Sequence, residues 1–574
     1  MARTLACEDE NLVDYFIITT KRFDGSTAQL SFVYPPLDDD HDETDFCENV
    51  TMFTFPHGYV HSWDGRSLPP PPAHNVFTLT DPQGDHLYGA SISFFETSSH
   101  VKSLCVLTRR PFYTQMLRYL EQLLLLGLHQ ARAFHGGGGD AVERALCNLF
   151  HEVPVPYRGL SVQMQVGDLE VLLERPPFLD FPFEGDAELM LYAFMMIDAK
   201  VLQQLYHHVL LEHRVLIVGN DSVLVTAAVE TLKGLIFPLT WLHVVIPNIP
   251  DSLDLSTLLD APVPFLAGAH TGQLQHVAIP SNVVKYDLSE SRLVVPSASN
   301  NHHHHQYQQD LENVELPPLP ETSSRLLHKL STTRLADLHK QKKELHQKLW
   351  DRRIQLQKCC LATSSSSGSV PGRAPVITPK QFFLVKQNLV YRKMMKLYLE
   401  VMASMLQDFP QSLSHHSRQF DADKFIDKKP SNTRTFYRAF TETAQFQSFL
   451  AQHSEYMDGL LPLEDAAKFQ FVHQTLLGVE RVTGNQANAS RAVAMALTKT
   501  FVAHMPQEAA APDPARENGE HETKSRVEAV EFPAVNLEAF GEPRQIVFPS
   551  MSADAVHSSL GTFISPSNVA ASRR

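Results

Sequence analysis

The stretch VLLEHRVLIVGNDSVLVTAAVETLKGLIFPLTWLHVVIPNIPDSLDLSTLLDAPVPFL, residues 209–266, decides the fold. It contains two short apolar runs, residues 214–218 and 241–246, and each run is closed by turn-forming residues. Short apolar runs bounded in this way are typical of strands that are buried on both faces. Between the runs, four apolar residues recur at helical spacing: Leu224, Ala228, Leu232 and Leu235.

A helix is therefore predicted between the two strands. Its spacing places Glu230 and Lys233 on the solvent face. Asp221 is predicted to cap the first turn by accepting hydrogen bonds from N–H groups that lack a partner within the helix. A strand, a helix and a second strand form a βαβ unit, whose crossover is right-handed in almost all proteins. We expect this unit to be the core of a central α/β domain.

The composition argues against several classes of protein. A chain of 574 residues predicts about three to four domains. A net charge of −15 and a pI near 6.0 lack the basic character expected of a nucleic-acid-binding protein. The sequence has no apolar run of about eighteen residues that would cross a membrane. Residues 1–11 have no apolar core, which predicts no secretory signal peptide. The 6 cysteines are scattered, which favours reduced thiols in the cytoplasm.

The residues before this stretch are predicted to form an α+β lobe. Strands are predicted at residues 14–20, 28–34, 75–80, 86–95 and 102–108, and residues 51–55 form another short apolar stretch. The turn sequence Asp81-Pro82-Gln83-Gly84 predicts a hairpin between the third and fourth of these strands. A helix is predicted at residues 111–128. Strands in meander order followed by helices are typical of an α+β arrangement.

The middle of the chain changes composition after residue 296. The tract His302–His305 is interpreted as part of a spacer rather than a metal site. Residues 321–358 are rich in bases and carry leucines in a heptad-like seam. Two interpretations stay open: a solvated helix packed on its neighbour, or a basic amphipathic contact with anionic lipid. The residues proposed for the lipid contact are Lys340, Lys342, Lys343, Arg352 and Arg353.

The end of the chain is predicted to be helical and then disordered. From residue 378 the apolar residues follow helical spacing, with a phenylalanine stripe between residues 433 and 452 that indicates core packing. After residue 506 the composition favours disorder. Within that tail, residues 532–543 mix acids with Phe and Leu, and we interpret them as an adaptor-binding peptide.

The sequence lacks the motifs of familiar catalytic and cofactor sites. It has no GxSxG, HExxH or paired CxxC, and the glycines at 136–139 are not followed by the Lys-Ser or Lys-Thr of a phosphate-binding loop. Gly219-Asn220-Asp221 lies at a strand-to-helix turn, where an anion can bind, but helix capping is the simpler role. We therefore predict a protein that binds another macromolecule, with no metal, no cofactor and no covalent chemistry.

Several short motifs in order resemble those of the tripartite DENN domain proteins, which are guanine-nucleotide exchange factors for Rab GTPases. They are FVYPP at 32–36, FTFPHG at 53–58, VFTLTD at 76–81, LYG at 87–89, SLCVLTRRPF at 103–112, LLEHRVL at 210–216, FPLTW at 237–241, IPNIP at 246–250, APVPFLAG at 261–268, LPPLP at 316–320, and the phenylalanines between 420 and 449. The resemblance covers roughly residues 10 to 500. One departure is Ala444, where the downstream segment of the family usually continues Thr-Gln before its Phe.

The resemblance implies a bilobal α/β and α+β protein. Its parts would be an upstream DENN, longin-like lobe at 10–150, a core DENN α/β domain at 151–296, a connector at 297–375, an all-helical downstream DENN segment at 376–505 and a disordered tail at 506–574. The Rab would dock through its switch regions across both lobes. The factor would act in vesicle trafficking, as a cytoplasmic protein recruited peripherally to vesicle or endosomal membranes.

The carboxyl ends of the core strands are the predicted GTPase interface, because open α/β sheets bind partners there. The interface residues proposed are Gly219, Asn220, Asp221, Asn248 and Ile249. Three alternatives stay open: a DENN-fold scaffold or adaptor that binds a GTPase or membrane without exchange, a structural protein built on the heptad seam, and a GTPase-activating protein. The last would need an arginine at the γ-phosphate, for which Arg66 and Arg132 are the residues in predicted loops or helix ends.

Overall fold

A computed structural model provides the structure of the chain. It describes residues 11–22, 27–36, 50–55, 63, 67–80, 86–132, 140–156, 158, 161–167, 169–175, 185–295, 316–330, 336–362, 386–414, 419–476, 502–503 and 532–535. The chain divides into two compact units. The first unit comprises Met1–Arg175, Gln347–Phe382 and Ala496–Met551, and the second comprises Pro176–His346, Phe383–Met495 and Ser552–Arg574.

The first unit contains an antiparallel five-stranded sheet with the order β2-β1-β5-β4-β3. Its strands are β1 Val13–Arg22, β2 Gln29–Tyr34, β3 Ala73–Thr80, β4 His86–Thr97 and β5 His100–Thr108. The hairpin predicted around residues 81–84 is present as β3 and β4, while the turn itself lies outside the described residues. One face of the sheet is covered by apolar residues, among them Ile17, Val50, Phe77, Cys105 and Leu107.

Helices and a second, small sheet complete the described part of the first unit. They are α1 Tyr113–Arg132, α2 Ala141–His151, β6 Ser161–Val166 and β7 Leu169–Glu174. Strands β6 and β7 pair antiparallel, and a two-residue strand from near the end of the chain, Val502–Ala503, lies parallel to β6. Strand β6 is the segment in which Val162, Met164 and Val166 alternate with polar residues, a pattern typical of a strand.

The second unit is built on a five-stranded sheet in the order β12-β11-β8-β10-β9. Its strands are β8 Val215–Gly219, β9 Val244–Ile246, β10 Phe265–His270, β11 Val284–Asp287 and β12 Arg292–Val294. The predicted strand–helix–strand unit is present, with helix α5 Ser222–Leu235 as its crossover. However, β8 and β9 are not neighbours, because β10 pairs in parallel with both. The second predicted strand is also shorter than expected and begins at Val244 rather than at Trp241.

Helix α5 is buried on nearly all sides, which corrects the prediction of a solvent face. The side chain of Glu230 is buried, and its carboxylate pairs with the Lys233 ammonium at 2.6 Å. The helical spacing was correct, but it could not reveal that other helices cover the far side, as α3 Ala187–Met196 and α4 Ala199–Leu210 do. A Glu–Lys pair three residues apart allows the carboxylate to enter the interior with its counter-charge.

One of the remaining described α-helices, α6, lies between β9 and β10, and the others follow the sheet in sequence. They are α6 Leu255–Asp260, α7 Glu321–Leu330, α8 Ala336–His339, α9 Lys342–Ala362, α10 Lys386–Leu406, α11 Ala422–Asp427, α12 Arg434–Glu442, α13 Ala444–Asp458 and α14 Leu463–Phe471. The basic segment at 321–358 thus contains three helices. Residues 342–346 of α9 belong to the second unit and residues 347–362 to the first. Among the described helices, none is long and apolar enough to cross a membrane.

A buried clamp joins α4 to α13 within the second unit. The Glu212 carboxylate accepts hydrogen bonds from the main-chain N–H groups of Ala444 at 2.9 Å and of Gln445 at 2.7 Å. In return, the Gln445 amide donates to the carbonyl oxygens of Val209 at 3.2 Å and Leu210 at 2.8 Å. The Glu212 side chain therefore satisfies N–H groups in the first turn of α13, and the Gln445 side chain adds hydrogen bonds to carbonyl groups at the end of α4. The clamp explains the structural role of Glu212 in the LLE motif at 210–212 and of Gln445 before Phe446.

Candidate functional site

The parallel strands β8, β10 and β9 of the second unit's sheet all end on the same side of it, which we call the carboxyl edge. The parallel register places Gly219 opposite His270 and Ile246 opposite Ala267. Both groups of predicted interface residues therefore lie at the same edge of one sheet. They are not adjacent, because β10 separates them, so the two groups are roughly 10 Å apart across the sheet.

The turn after β8 is shaped by packing and by the helix that follows it. A side chain at Gly219 would bring its Cβ to 2.9 Å from Val225, which explains why a glycine ends the strand. The Asp221 carboxylate accepts hydrogen bonds from the N–H groups of Val223 at 3.0 Å and Leu224 at 3.3 Å, so the predicted cap is confirmed. Asn220 lies between them with an exposed side chain.

The turn after β9 faces inward. Ile249 is 1% exposed and belongs to the apolar core under the sheet, and Asn248 is also buried. The Ile249 N–H donates to the Gly268 carbonyl oxygen at 2.8 Å, and a Cβ on Gly268 would lie 2.0 Å from the Pro247 carbonyl oxygen. This loop is therefore held tightly against β10. Of the five residues predicted for the interface, Asn220 is the one with an exposed side chain.

The end of β10 contributes residues that the sequence analysis missed. The His270 Nδ1 accepts a hydrogen bond from the Gly272 N–H at 3.1 Å, and the Gln273 side chain accepts one from the His270 N–H at 2.9 Å. The Gln273 amide also donates to the Ile249 carbonyl oxygen at 3.1 Å, which ties the β9 and β10 turns together. The apolar run at 265–269 followed by His-Thr-Gly was the signal that could have revealed this strand end.

The side of the same sheet on which these strands begin, the amino edge, has exposed apolar side chains. Leu242, Val244 and Val263 are 50%, 37% and 42% exposed, and the pairing of Phe265 with Val244 brings them to the amino ends of β9 and β10. Strand β9 is also an edge strand. The sheet thus offers two different surfaces to a partner, a polar carboxyl edge and an apolar amino edge.

The basic residues proposed for lipid contact fall into two groups. Lys340 and Lys343 have exposed side chains. By contrast, the Lys342 ammonium donates to the Leu288 carbonyl oxygen at 2.6 Å and to the Ser291 hydroxyl at 2.7 Å, and burial lowers the pKa of Lys342. Three leucines of the seam, Leu338, Leu345 and Leu356, are buried, and a fourth, Leu349, is half-buried.

Arg352 forms a buried ion pair in the first unit. Its guanidinium Nε donates to both carboxylate oxygens of Glu121 on α1, at 2.8 and 3.1 Å, and the second nitrogen, Nη2, adds a further bond. Burial by itself would raise the pKa of Glu121, but Arg352 and His74 beside the carboxylate lower it to about 2. The His74 Nε2 lies 3.1 Å from the same carboxylate, and burial lowers the pKa of His74. The neighbouring Arg353 is half-buried.

The other candidate sites from the sequence lie mostly outside the described residues. Among the described residues, no three His, Cys, Asp or Glu side chains are grouped to hold a metal ion. The His302–His305 tract, the glycines at 136–139 and Arg66 lie outside the described residues, and Arg132 is the last residue of α1. Of the predicted adaptor peptide, only residues 532–535 are described.

Comparison with known families gives two adjoining matches. The uDENN domain profile matches residues 28–94, and the profile of the DENN (AEX-3) domain matches residues 99–291. The chain is also similar to the human and mouse proteins named DENN domain-containing protein 1A. The identity is 25% over 257 residues in both cases, which is 44% of this chain and 23% of each relative. The similar region therefore spans about a quarter of the relatives' length.

Proposed function

The chain is a member of the DENN-domain family, and from that premise we propose that it is a guanine-nucleotide exchange factor for a Rab-type small GTPase. The observation that carries the proposal is the order and continuity of the uDENN and DENN matches, at residues 28–94 and 99–291. The protein would act as a regulator of a GTPase without forming a covalent bond to it. The longin-like character of the upstream lobe, the helical downstream segment, the domain boundaries and the recruitment to vesicle membranes are parts of the same proposal.

Exchange of this kind needs only differential binding. A protein that binds the nucleotide-free GTPase more tightly than the loaded form must weaken nucleotide binding by the same factor. Accelerating GDP release about 10³- to 10⁵-fold requires roughly 4–7 kcal/mol of differential stabilisation. A contact of about 1,000 Å² or more is of the size that specific protein–protein interfaces use. The proposed mechanism therefore asks for a shaped, accessible surface and for no catalytic side chain.

The carboxyl edge of the second unit's sheet is the surface proposed for the GTPase. The exposed Asn220 and the ordered turn after β10 supply polar groups there, held in place by the Asp221 cap and by Gln273. Gly219, Asp221, Asn248 and Ile249 would then shape the edge rather than touch the partner. Reversing the charge of Asp221 together with a change at Asn248 would disturb this support, so it would not report on contact alone.

The test is GDP release from a panel of Rab GTPases loaded with fluorescent GDP. We expect one or more Rabs to lose nucleotide faster with the wild-type chain, and Asn220→Arg to slow that release at least tenfold with an unchanged melting temperature. Leu242→Arg at the apolar amino edge is the matched control, because Leu242 is also exposed. If Leu242→Arg slows release and Asn220→Arg does not, the interface lies at the other edge.

The same panel separates exchange from a scaffold role. A chain that binds a Rab stably in pull-down and leaves GDP release unchanged would be a binding module, and the exchange proposal would be wrong. A chain that neither binds any nucleotide-free Rab nor accelerates release would contradict both.

A further inference from the structure

We propose that the first unit carries a docking pocket for a peptide with an aromatic residue, and that the segment at 532–535 of the chain's own tail occupies it. This inference does not depend on the proposed exchange activity. The segment reads Phe532-Pro533-Ala534-Val535. Phe532 is 3% exposed, whereas Ala534, two residues later, is exposed.

The pocket is formed by residues of helix α1 and by residues near the end of strand β4. A Cβ placed on Gly127 of α1 would lie 2.1 Å from the Phe532 ring, so the ring rests directly on the glycine. The Phe94 ring of β4 lies beside it, with 6.3 Å between ring centroids. Burial of a phenyl ring provides much of the binding free energy in such peptide sites.

The pocket also recognises the peptide backbone. The Phe532 N–H donates to the Glu96 carboxylate at 3.0 Å. The same carboxylate oxygen is held by the Lys102 ammonium, which fixes its position at the rim. An N–H···carboxylate bond is charge-assisted and stronger than a neutral one. The ring and the N–H together define the peptide class: an aromatic residue whose own N–H is free to donate.

Gly127 supports this interpretation independently of the contact itself. It interrupts the apolar run LLLLGL at residues 123–128 inside a twenty-residue helix. A glycine within a helix costs about 1 kcal/mol relative to alanine, so its presence needs a packing reason. The Phe532 ring supplies that reason, because it occupies the space that the methyl group of an alanine at position 127 would need.

A short strand that precedes the tail also contacts the first unit. Val502–Ala503 lies parallel to β6, opposite Gln163 and Met164. Addition of a short strand to a sheet edge and insertion of an aromatic side chain are two common modes of peptide recognition. Two segments from the C-terminal part of the chain thus contact the first unit, one through strand pairing and one through the Phe532 ring and N–H.

Hydrogen exchange of the tail in the full-length chain tests the proposal. We expect the main-chain N–H of residue 532 to exchange at least tenfold faster in Phe532→Ala and in Gly127→Ala than in wild type. Gly127→Ala fills the space that the Phe532 ring occupies, while alanine favours the helix more than glycine does. We therefore expect no loss of melting temperature from a weakened helix. Phe540→Ala, in the same tail, is the matched control and should exchange like wild type. Unchanged exchange in both Phe532→Ala and Gly127→Ala would overturn the proposal.

A peptide in trans gives a second readout. A fluorescent peptide of residues 526–540 should bind the full-length Phe532→Ala chain, whose pocket is vacant, at least tenfold more tightly than wild type. The Gly127→Ala/Phe532→Ala double variant should lose that binding, and so should a peptide that carries Phe532→Ala. Equal binding to the single and double variants would place the peptide elsewhere and contradict the pocket.

Discussion

A buried cluster in each unit shows a different way to accommodate titratable groups. The first unit buries a charged pair, Glu121 with Arg352, beside His74. The second unit buries His207 and His208, and the Nδ1 atoms of His208 and His213 lie 2.8 Å apart. Burial, with His213 as the second cause, lowers the pKa of His207 to about 4 and that of His208 to about 3. The Glu121–Arg352 pair stays charged because the two charges are opposite, whereas His207 and His208 stay neutral by releasing protons.

The contrast shows what a buried ionisable group needs. A carboxylate in the interior is tolerated when a guanidinium forms two parallel bonds to it. A histidine can enter without a partner charge, since its neutral form is within reach of physiological pH. The two solutions predict different sensitivities to mutation and to acid, and the experiments below separate them in order of expected effect.

Arg352→Met should have the largest effect. Removing the guanidinium leaves the Glu121 carboxylate buried without its partner, which costs about 3–5 kcal/mol. The measurement is the free energy of unfolding by urea. Lys358→Met on the same helix is the control, because Lys358 is exposed and its loss should change stability by less than about 0.5 kcal/mol. Equal, small effects of the two substitutions would mean that the ion pair does not hold the interior charge.

Mild acid should weaken the second unit more than the first, because its buried cluster holds both His207 and His208, whereas the cluster of the first unit holds one histidine of this kind, His74. A histidine with a lowered folded pKa stabilises the fold fully above its unfolded value of 6.5, and that contribution is lost as the pH falls below 6.5. The loss is at most about 1.4 kcal/mol per pH unit for each of His207 and His208. The contribution of Glu121 is present above its usual value of 4.5 and is lost only as the pH falls from 4.5 toward 2.

The tryptophans can report the two units separately. Trp241 belongs to the second unit and Trp63 to the first, so single-tryptophan chains give one unfolding midpoint for each. Between pH 6.5 and 4.5 the Trp241 midpoint should fall more steeply, and His207→Gln/His208→Asn should flatten its slope. Parallel slopes for the two reporters, unchanged in the double variant, would contradict this assignment.

Glu212→Gln should destabilise the second unit by about 1.5–3 kcal/mol, the range for hydrogen bonds to a charged group. The amide retains one acceptor oxygen where the carboxylate offers two, so one N–H at the start of α13 loses its partner. Glu212 also adopts a left-handed backbone with φ of 55°, which is unfavourable for a residue with a side chain. Glu442→Gln, at the exposed end of α12, is the control for the loss of one negative charge.

Lys340→Glu/Lys343→Glu should have the smallest effect on stability, because both side chains are exposed. If the basic segment contacts anionic lipid, the double variant should weaken binding to phosphatidylserine vesicles by about 2 kcal/mol, roughly thirty-fold. Neutral phosphatidylcholine vesicles are the control. Equal binding of wild type and variant would favour a helix that is simply solvated and packed on its neighbours.

The sequence predicted those elements whose residues carry their own signal. The apolar runs located β8 and β9, and Asp221 located the start of α5, because capping depends on residues close in sequence. The position of β10 between those strands depends on pairing between residues far apart, and no local pattern encodes it. For the same reason Arg352 was interpreted as a surface base: its partner, Glu121, lies elsewhere in the chain, and a basic side chain gives no local sign of a buried carboxylate.

The interface residues illustrate the same limit at the candidate site. Strand ends can be found from sequence, and Gly219, Asn220 and Asp221 do lie at the carboxyl edge. Whether a side chain at a strand end faces solvent depends on the loop that follows it. Ile249 turns into the core because its N–H bonds to Gly268, a contact between two strands that the sequence does not relate.

The strand order has a consequence for how the chain acquires its structure during synthesis. Strands β8 and β9 are joined through β10, which is made last of the three. A nascent chain that ends at Ile246 has β8, the crossover helix and β9, yet lacks the strand that links β8 to β9. These two strands can therefore be joined only after the ribosome has released His270, and until then their apolar faces depend on α5 or on a chaperone for cover.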